Sequence, residues 1–416
     1  MIRASLIYVA SSIVTGLIPF LLLPILTRFL SPEMYGKVAM FNICIVAFGS
    51  IIGLSVHGAA NRRYFDNDIS KIDLARFNFN CVIILILSSI ITLLVLFFSE
   101  NLLSDFLNIP ISWLYLCLVS VFSKFLINLR LGQWQIRKNA KYYGLFQIVT
   151  SLVNVIFSIL FVVVLLMEDK GRVYAVVITS VIAGIFSCIS LIRTRLIFFR
   201  LDYNDIKYAL SFGVPLIPHV VGAFLLVSID RLIVTKELGI HAVGIYMVAV
   251  NIGNGFNMLF NAINKAYSPL MYEILKNNRD GEKKNVIKIT YVYFLFLSLF
   301  GGFSFLIAPK ILEFVVGPDF HDASRIIPFI VMGQIFRGMY YVVSVYIFFT
   351  KKTKFLSAIT ICSGLLNVGL IFYLIPHFGL IGAAASFMIS MLFQFSITWF
   401  VSAFLVSMPW RLWNKS

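Results

Sequence analysis

Twelve stretches of this chain, each about 20 residues or longer and nearly free of charge, restrict its fold more than any other feature. A helix rising about 1.5 Å per residue needs about 20 apolar residues to cross roughly 30 Å of hydrocarbon. Amides and carbonyls cannot stay unpaired in lipid, so each stretch predicts one helical span. The stretches lie near 5–27, 35–58, 77–99, 110–129, 143–167, 173–192, 208–234, 241–266, 289–308, 326–349, 355–375 and 378–404. The balance of residue types agrees, with 60% hydrophobic and 12% charged, whereas soluble domains carry about 25% charged residues. The first stretch exceeds the roughly 7–15 residues of a signal-peptide core and runs into Arg28 without a small-residue cleavage pattern. It is expected to remain as span one. Cys44, Cys81, Cys117, Cys188 and Cys362 fall inside apolar runs with no CxxC spacing. They read as small core residues, implying no metal site, no cofactor and no disulfide framework.

A net charge of +16 would suggest a nucleic-acid partner in a soluble protein. The positions of the charges exclude that. With both termini cytoplasmic, the loops on that side hold most of the 34 basic residues, including Arg62, Arg63, Arg76, Arg130, Arg137, Lys138, Lys141, Arg193, Arg200 and Lys207. The opposite loops hold only Arg28, Lys170, Arg172, Lys236, Lys310 and Arg325. Because basic loops are retained in the cytoplasm, this asymmetry sets the orientation.

Two matches reveal an internal repeat. Thr27, Leu30 and Gly36 recur 208 residues on as Thr235, Leu238 and Gly244. Lys138, Lys141, Leu152, Asn154 and Val155 recur 213 residues on as Lys351, Lys354, Leu365, Asn367 and Val368. Both matches join elements of the same orientation, so the repeat is parallel. It predicts an all-α membrane protein of two pseudo-symmetric six-helix bundles around a central cavity, able to rock and expose that cavity to one side at a time. The expected division is 1–195, a basic cytoplasmic connector at 196–207, and 208–416.

At this point the chain resembles the Wzx-type O-antigen and polysaccharide flippases of the multidrug/oligosaccharidyl-lipid/polysaccharide exporter superfamily, over its whole length. The resemblance rests on the six-plus-six spans and four local patterns. These are LTRFLSPEMYG after span one, SFGVPLIP opening span seven, DRLIVTKELG with GIYMVA following, and GLIGAAAS opening span twelve. It implies a MATE-like fold in a bacterial inner membrane and transport of undecaprenyl-pyrophosphate-linked repeat units from the cytoplasmic to the periplasmic leaflet, without chemistry. It also implies ion-gradient coupling, a cationic cavity, and a polysaccharide polymerase and chain-length regulator as partners.

An ionisable side chain in mid-membrane costs about 2.5–3.5 kcal/mol on insertion scales, so it usually faces a cavity or a partner. Lys124 and Arg337 sit near the middle of spans four and ten. Facing water, they would bind a pyrophosphate or acidic sugar; otherwise they are structural contacts within the bundle. Asp230, the one carboxylate inside a span as drawn, adjoins Arg231. Neighbours on a helix point to different faces, so the two are not expected to pair. Asp230 is either a proton or cation site for coupling or the partner of a basic residue elsewhere. Asn251, Asn254, Asn257, Asn261, Asn264 and Lys265 fall on one face of span eight. Such a polar stripe suits sugar hydroxyls, although asparagines also bond neighbouring helices. Arg28 and Arg63 lie at span ends, where phosphate guidance competes with simple snorkelling. His219 is read as a structural histidine before a proton carrier. Pro215 and Pro218 should kink span seven.

Two other readings compete. A polysaccharide polymerase would need catalytic groups in an extramembrane site, and the outer loop 309–325, with Glu313, Asp319, His321 and Asp322, shows no catalytic spacing. A cation-coupled drug exporter would favour an acidic cavity, whereas the residues within these spans are mainly basic.

Overall fold

The computed structural model describes residues 2–66, 69–277, 280–350, 352 and 354–410. They form α1 (Ile2–Phe29), α2 (Pro32–Ile51), α3 (Val56–Arg63), α4 (Lys71–Leu107), α5 (Ile111–Ile136), α6 (Ala140–Ser158), α7 (Glu168–Arg193), α8 (Tyr203–Gly213), α9 (Ile217–Asn277), α10 (Asp280–Val315), α11 (Ile327–Phe349) and α12 (Lys354–Leu405). Among the described residues there are no strands. Nine helical stretches among the described residues are long and apolar enough to cross a membrane. The two longest each carry a second crossing, because α9 breaks at Gly239 (φ 83°, ψ 171°) and α12 at Gly379 (φ 56°, ψ −133°). Only glycine takes up such angles cheaply. With α1, the described residues account for the twelve crossings that the hydropathy predicts.

The structure breaks two spans. The second, read as continuous over 35–58, is interrupted where Gly53 (φ 73°), Leu54 (φ 46°) and Ser55 (φ 56°) all adopt left-handed backbone between α2 and α3. The Gly53 N–H is not left unpaired: it donates to Ser88 Oγ of α4 at 2.8 Å. In span seven, a short 3₁₀ turn at Val214–Leu216 separates α8 from α9 around Pro215. At that junction a Cβ on Gly213 would lie 2.1 Å from the Leu54 carbonyl oxygen, so only glycine admits the approach of α8 to the break in span two.

The chain divides into two compact units, Met1–Ile18 with Phe29–Leu232, and Pro19–Arg28 with Ile233–Ser416. In the first, the segment after α7, expected to bridge the bundles, lies on α4. Phe198 N–H donates to the Ala75 carbonyl at 3.1 Å, and Asn78 Nδ2 to the Leu196 carbonyl at 2.9 Å. Arg76 spreads over three carboxylates, Asp205 at 2.8 Å, Asp73 at 3.3 Å and Asp202 at 3.4 Å. In the second unit, the segment after α12 lies on α10. Tyr291 donates its hydroxyl to the Trp410 carbonyl at 2.6 Å, above a core of Met271, Leu275, Ile287, Val345, Tyr346 and Met408. Cys44, Cys81 and Cys117 are buried as expected, Cys188 is half-buried, and Cys362 is exposed. A lipid-facing position tolerates that last thiol as well as a core does, since both are apolar.

Candidate functional site

Uncompensated positive charge inside the helices is the chemistry these units carry. Lys124 on α5 and Arg337 on α11 are both half-buried, and among the described residues neither makes a hydrogen bond or ion pair. They are related by the offset of 213 that also relates Lys138 to Lys351 and Asn154 to Asn367. Each unit therefore holds one unpaired cation at the equivalent point of its fourth span.

The first unit adds a second interior cation, Arg172. Expected in an outer loop, it lies in the second turn of α7, which begins at Glu168. Its Nη1 donates to Asn154 Oδ1 at 2.9 Å and Ser158 Oγ at 2.6 Å on α6. These neutral acceptors orient the guanidinium without neutralising it. No carboxylate among the described residues pairs with Arg172 or Lys124.

Around Arg337 the second unit supplies hydrogen-bonding groups. One turn on, along the same face of α11, the Tyr341 hydroxyl donates to Asn257 Oδ1 of α9 at 2.9 Å. The close approach of the two helices depends on Gly338, where a Cβ would come within 2.7 Å of the Phe260 ring. Of the predicted asparagine stripe, Asn254, Asn261 and Lys265 are exposed, and Asn251, Asn257 and Asn264 are half-buried. Asn264 Oδ1 accepts from Ser268 at 3.2 Å.

Asp230 and Arg231 depart from expectation. Both are 7% exposed, and Arg231 Nη1 lies 3.5 Å from Asp230 Oδ1. The expectation that neighbours diverge considered only the Cβ directions. The carboxylate folds back to accept the Arg231 N–H at 2.9 Å, and the long arginine stem reaches it. A buried charge gains more from pairing than from exposure to a low-dielectric interior. Arg28 is exposed in the last turn of α1. Arg63 is not a free snorkelling cation: it donates to Asp66 at 2.9 Å and lies 4.7 Å over the Tyr208 ring. The side chain of His219 lies outside the described residues. Glu100, one residue past the expected end of span three, lies within α4 and accepts from the Tyr115 hydroxyl.

The repeated crossings and the two units, each with an unpartnered interior cation at the equivalent position, define a multi-pass α-helical membrane protein. The chain matches the family model described as "Polysaccharide biosynthesis protein" over residues 25–325, and it belongs to that family. The "Lsg locus putative protein 1" of Haemophilus influenzae is 24% identical over 401 residues, covering 92% of this chain and 94% of the relative. Among solved structures, an inward-facing multidrug resistance MATE family transporter of the MOP superfamily superposes with a TM-score of 0.72 at 14% identity, over 96% of this chain and 94% of that one. The lipid II flippase MurJ, in an inward closed conformation, gives 0.73 at 15% identity, over 96% and 87%. The chain therefore shares the fold of these two proteins, the MATE-like fold that the resemblance implied.

Proposed function

We propose that this chain is a flippase that carries a polyprenyl-pyrophosphate-linked oligosaccharide, of the kind used for O-antigen or related polysaccharides, from the cytoplasmic to the periplasmic leaflet of a bacterial inner membrane. Both termini are cytoplasmic in this reading, and a polymerase and chain-length regulator take the product on the far side. Family membership supports a role in polysaccharide biosynthesis. The observation that carries the reading is the pair Lys124 and Arg337, one unpaired cation at the same repeat position in each unit.

A cation held in mid-span without a counter-ion costs about 2.5–3.5 kcal/mol on insertion scales. A pyrophosphate offsets that cost when it binds, so the charge becomes an affinity for the headgroup. The guanidinium of Arg337 offers a bidentate edge and the ammonium of Lys124 a point charge. Tyr341 and the asparagines of α9 offer donors and acceptors for sugar hydroxyls. The two units act as the halves of an alternating-access device, and no bond is made or broken. A cationic drug would meet repulsion at both positions, which argues against the exporter alternative. Asp230 is ion-paired with Arg231, its neighbour on the same helix, which favours a structural part for that carboxylate over a coupling site.

The test is export in a deletion strain that accumulates lipid-linked repeat units. Lys124→Ala and Arg337→Ala are expected to restore little export at normal membrane levels, while Lys124→Arg retains most. Near-normal export by both alanine variants would sink the proposal.

A further inference from the structure

Spans two and seven break next to each other within the first unit. Gly53, Leu54 and Ser55 take left-handed backbone between α2 and α3, and the 3₁₀ turn at Val214–Leu216 parts α8 from α9. One close approach joins the two breaks: a Cβ on Gly213 would lie 2.1 Å from the Leu54 carbonyl oxygen and 3.0 Å from Val56 Cγ1. Leucine and serine gain nothing from left-handed backbone, which crowds the Cβ, so tertiary contacts hold this turn in place. Each break sets a short half-span, α3 or α8, apart from the helix that continues it.

The two half-spans pack on each other along their lengths. Gly58 faces Phe212, where a Cβ would meet the ring at 3.4 Å. Further on, the Arg63 guanidinium lies 4.7 Å over the Tyr208 ring, and the Tyr208 hydroxyl donates to Asp66 at 3.4 Å. With Gly213 against Val56, these contacts hold α3 and α8 as one body. Its other sides differ. Toward α4 the polar groups are matched: Asp205 accepts from Arg76 Nε at 2.8 Å, and the Asp202 N–H donates to Asn80 Oδ1 at 3.1 Å. Toward α5 they are not. His57 stands edge-on to Phe125, with ring centroids 5.6 Å apart, and Asn61 meets Gly132, where a Cβ would lie 2.3 Å from its Oδ1. One turn apart on α3, His57 Nδ1 and Asn61 Oδ1 are buried without a partner. Buried polar groups are nearly always satisfied, and water reaches these two only when the contact between α3 and α5 parts.

Two fixed points on α8 define an axis. At one end the Leu54–Gly213 approach is a joint, and toward the other Asp205 is clamped to Arg76. We propose that α8 is the pin of a hinge and α3 its leaf: the leaf turns about α8 and swings off α5, bending at Gly53–Ser55, while the clamp to α4 stays closed. Closing buries His57 Nδ1 and Asn61 Oδ1 unpaired, and opening hydrates them, so the closed position is held shallowly and both positions are populated. The part this hinge plays in transport rests on the flippase reading: the leaf opens the cytoplasmic end of the first unit to an arriving headgroup.

Distances between spin labels test the hinge without any transported solute. The full chain is placed in lipid nanodiscs with Cys188→Ser and Cys362→Ser, and labels are carried by cysteines at the exposed residues Arg62 of α3, Lys207 of α8 and Gln135 of α5. The Arg62–Lys207 pair should give one distance and the Arg62–Gln135 pair two. Asn61→Ala removes a buried unpaired acceptor, and should raise the ratio of the shorter to the longer Arg62–Gln135 distance about fivefold. A single Arg62–Gln135 distance, unmoved by Asn61→Ala, would overturn the hinge, as would an Arg62–Lys207 distance that splits with it. Oxidation of Asn61→Cys with Gly132→Cys pins the leaf to α5. In inverted membrane vesicles it should stop transfer of accumulated lipid-linked repeat units until reductant is added. Transfer by the pinned chain would overturn the hinge's part in transport, whereas two label distances with no transfer by the native chain would count against the flippase reading alone.

Discussion

The two units close their sixth spans with the same device in different chemistry. In the first, the segment after α7 is held on α4 by Asn78 and by the carboxylates around Arg76. In the second, the segment after α12 is held on α10 by Tyr291. Asn78 and Tyr291 are themselves related by the repeat offset of 213, and each gives its side-chain proton to a carbonyl of the returning segment, Leu196 or Trp410. The repeat has kept a role at this position and changed what surrounds it. The first strap is held by charge, and it continues into α8. The second is held by rings: Trp410 lies 5.5 Å from Tyr346, 5.8 Å from Trp399 and 6.5 Å from Tyr291. Ion pairs at fixed angles clamp the first strap in one direction, whereas ring burial holds the second.

Breaking the aromatic strap should have the larger effect. Trp410→Ala removes three ring contacts, and truncation of a fully buried tryptophan costs about 3–5 kcal/mol. Trp410 is half-buried, so a loss of about 3 kcal/mol is expected, read as earlier thermal unfolding in detergent and loss of protection in α10. Breaking the charged strap should cost less. Asp205→Asn keeps shape and removes charge from a residue 4% exposed. Removing one member of a buried pair costs about 3–5 kcal/mol, but Arg76 keeps Asp73 and Asp202 and is partly solvated, so about 2 kcal/mol is expected. If Asp205→Asn instead destabilised more than Trp410→Ala, the contrast between a clamp and a burial would be reversed.

How much of this was readable depends on the range of the interaction. The crossings, the breaks near 239 and 379 and the repeat are local or periodic signals, and hydropathy carries them. Lys124 and Arg337 stood out because charge inside an apolar run is rare. The break at Gly53–Ser55 was hidden since Leu54 and Ser55 carry no preference for left-handed backbone. Arg172 was misplaced by an uncertainty of a few residues in a helix start. The straps join residues more than 100 apart in sequence, beyond any local pattern.

The smallest effect concerns a charge outside the spans. Asp66 accepts from Arg62 at 2.8 Å and Arg63 at 2.9 Å, and the hydrogen bond from Arg63, with the nearby positive charges, holds its carboxyl below the ordinary range. Because the folded form favours the ionised carboxylate, its contribution is complete above the ordinary value, about 4, and is lost as pH falls through the lowered one. Amide exchange at Phe65 and Asp66, whose N–H groups donate to Arg62 and Arg63 carbonyls, should keep constant protection from about pH 7 to 5 and lose it below about 4. Asp66→Asn should show weaker protection at every pH and no such step. The aromatic strap of the second unit contains no acid in its contacts with Tyr291, Tyr346 and Trp399, so its amides should show no step either; a matching step there would mean that pH acts on the whole fold and not on the Asp66 clamp.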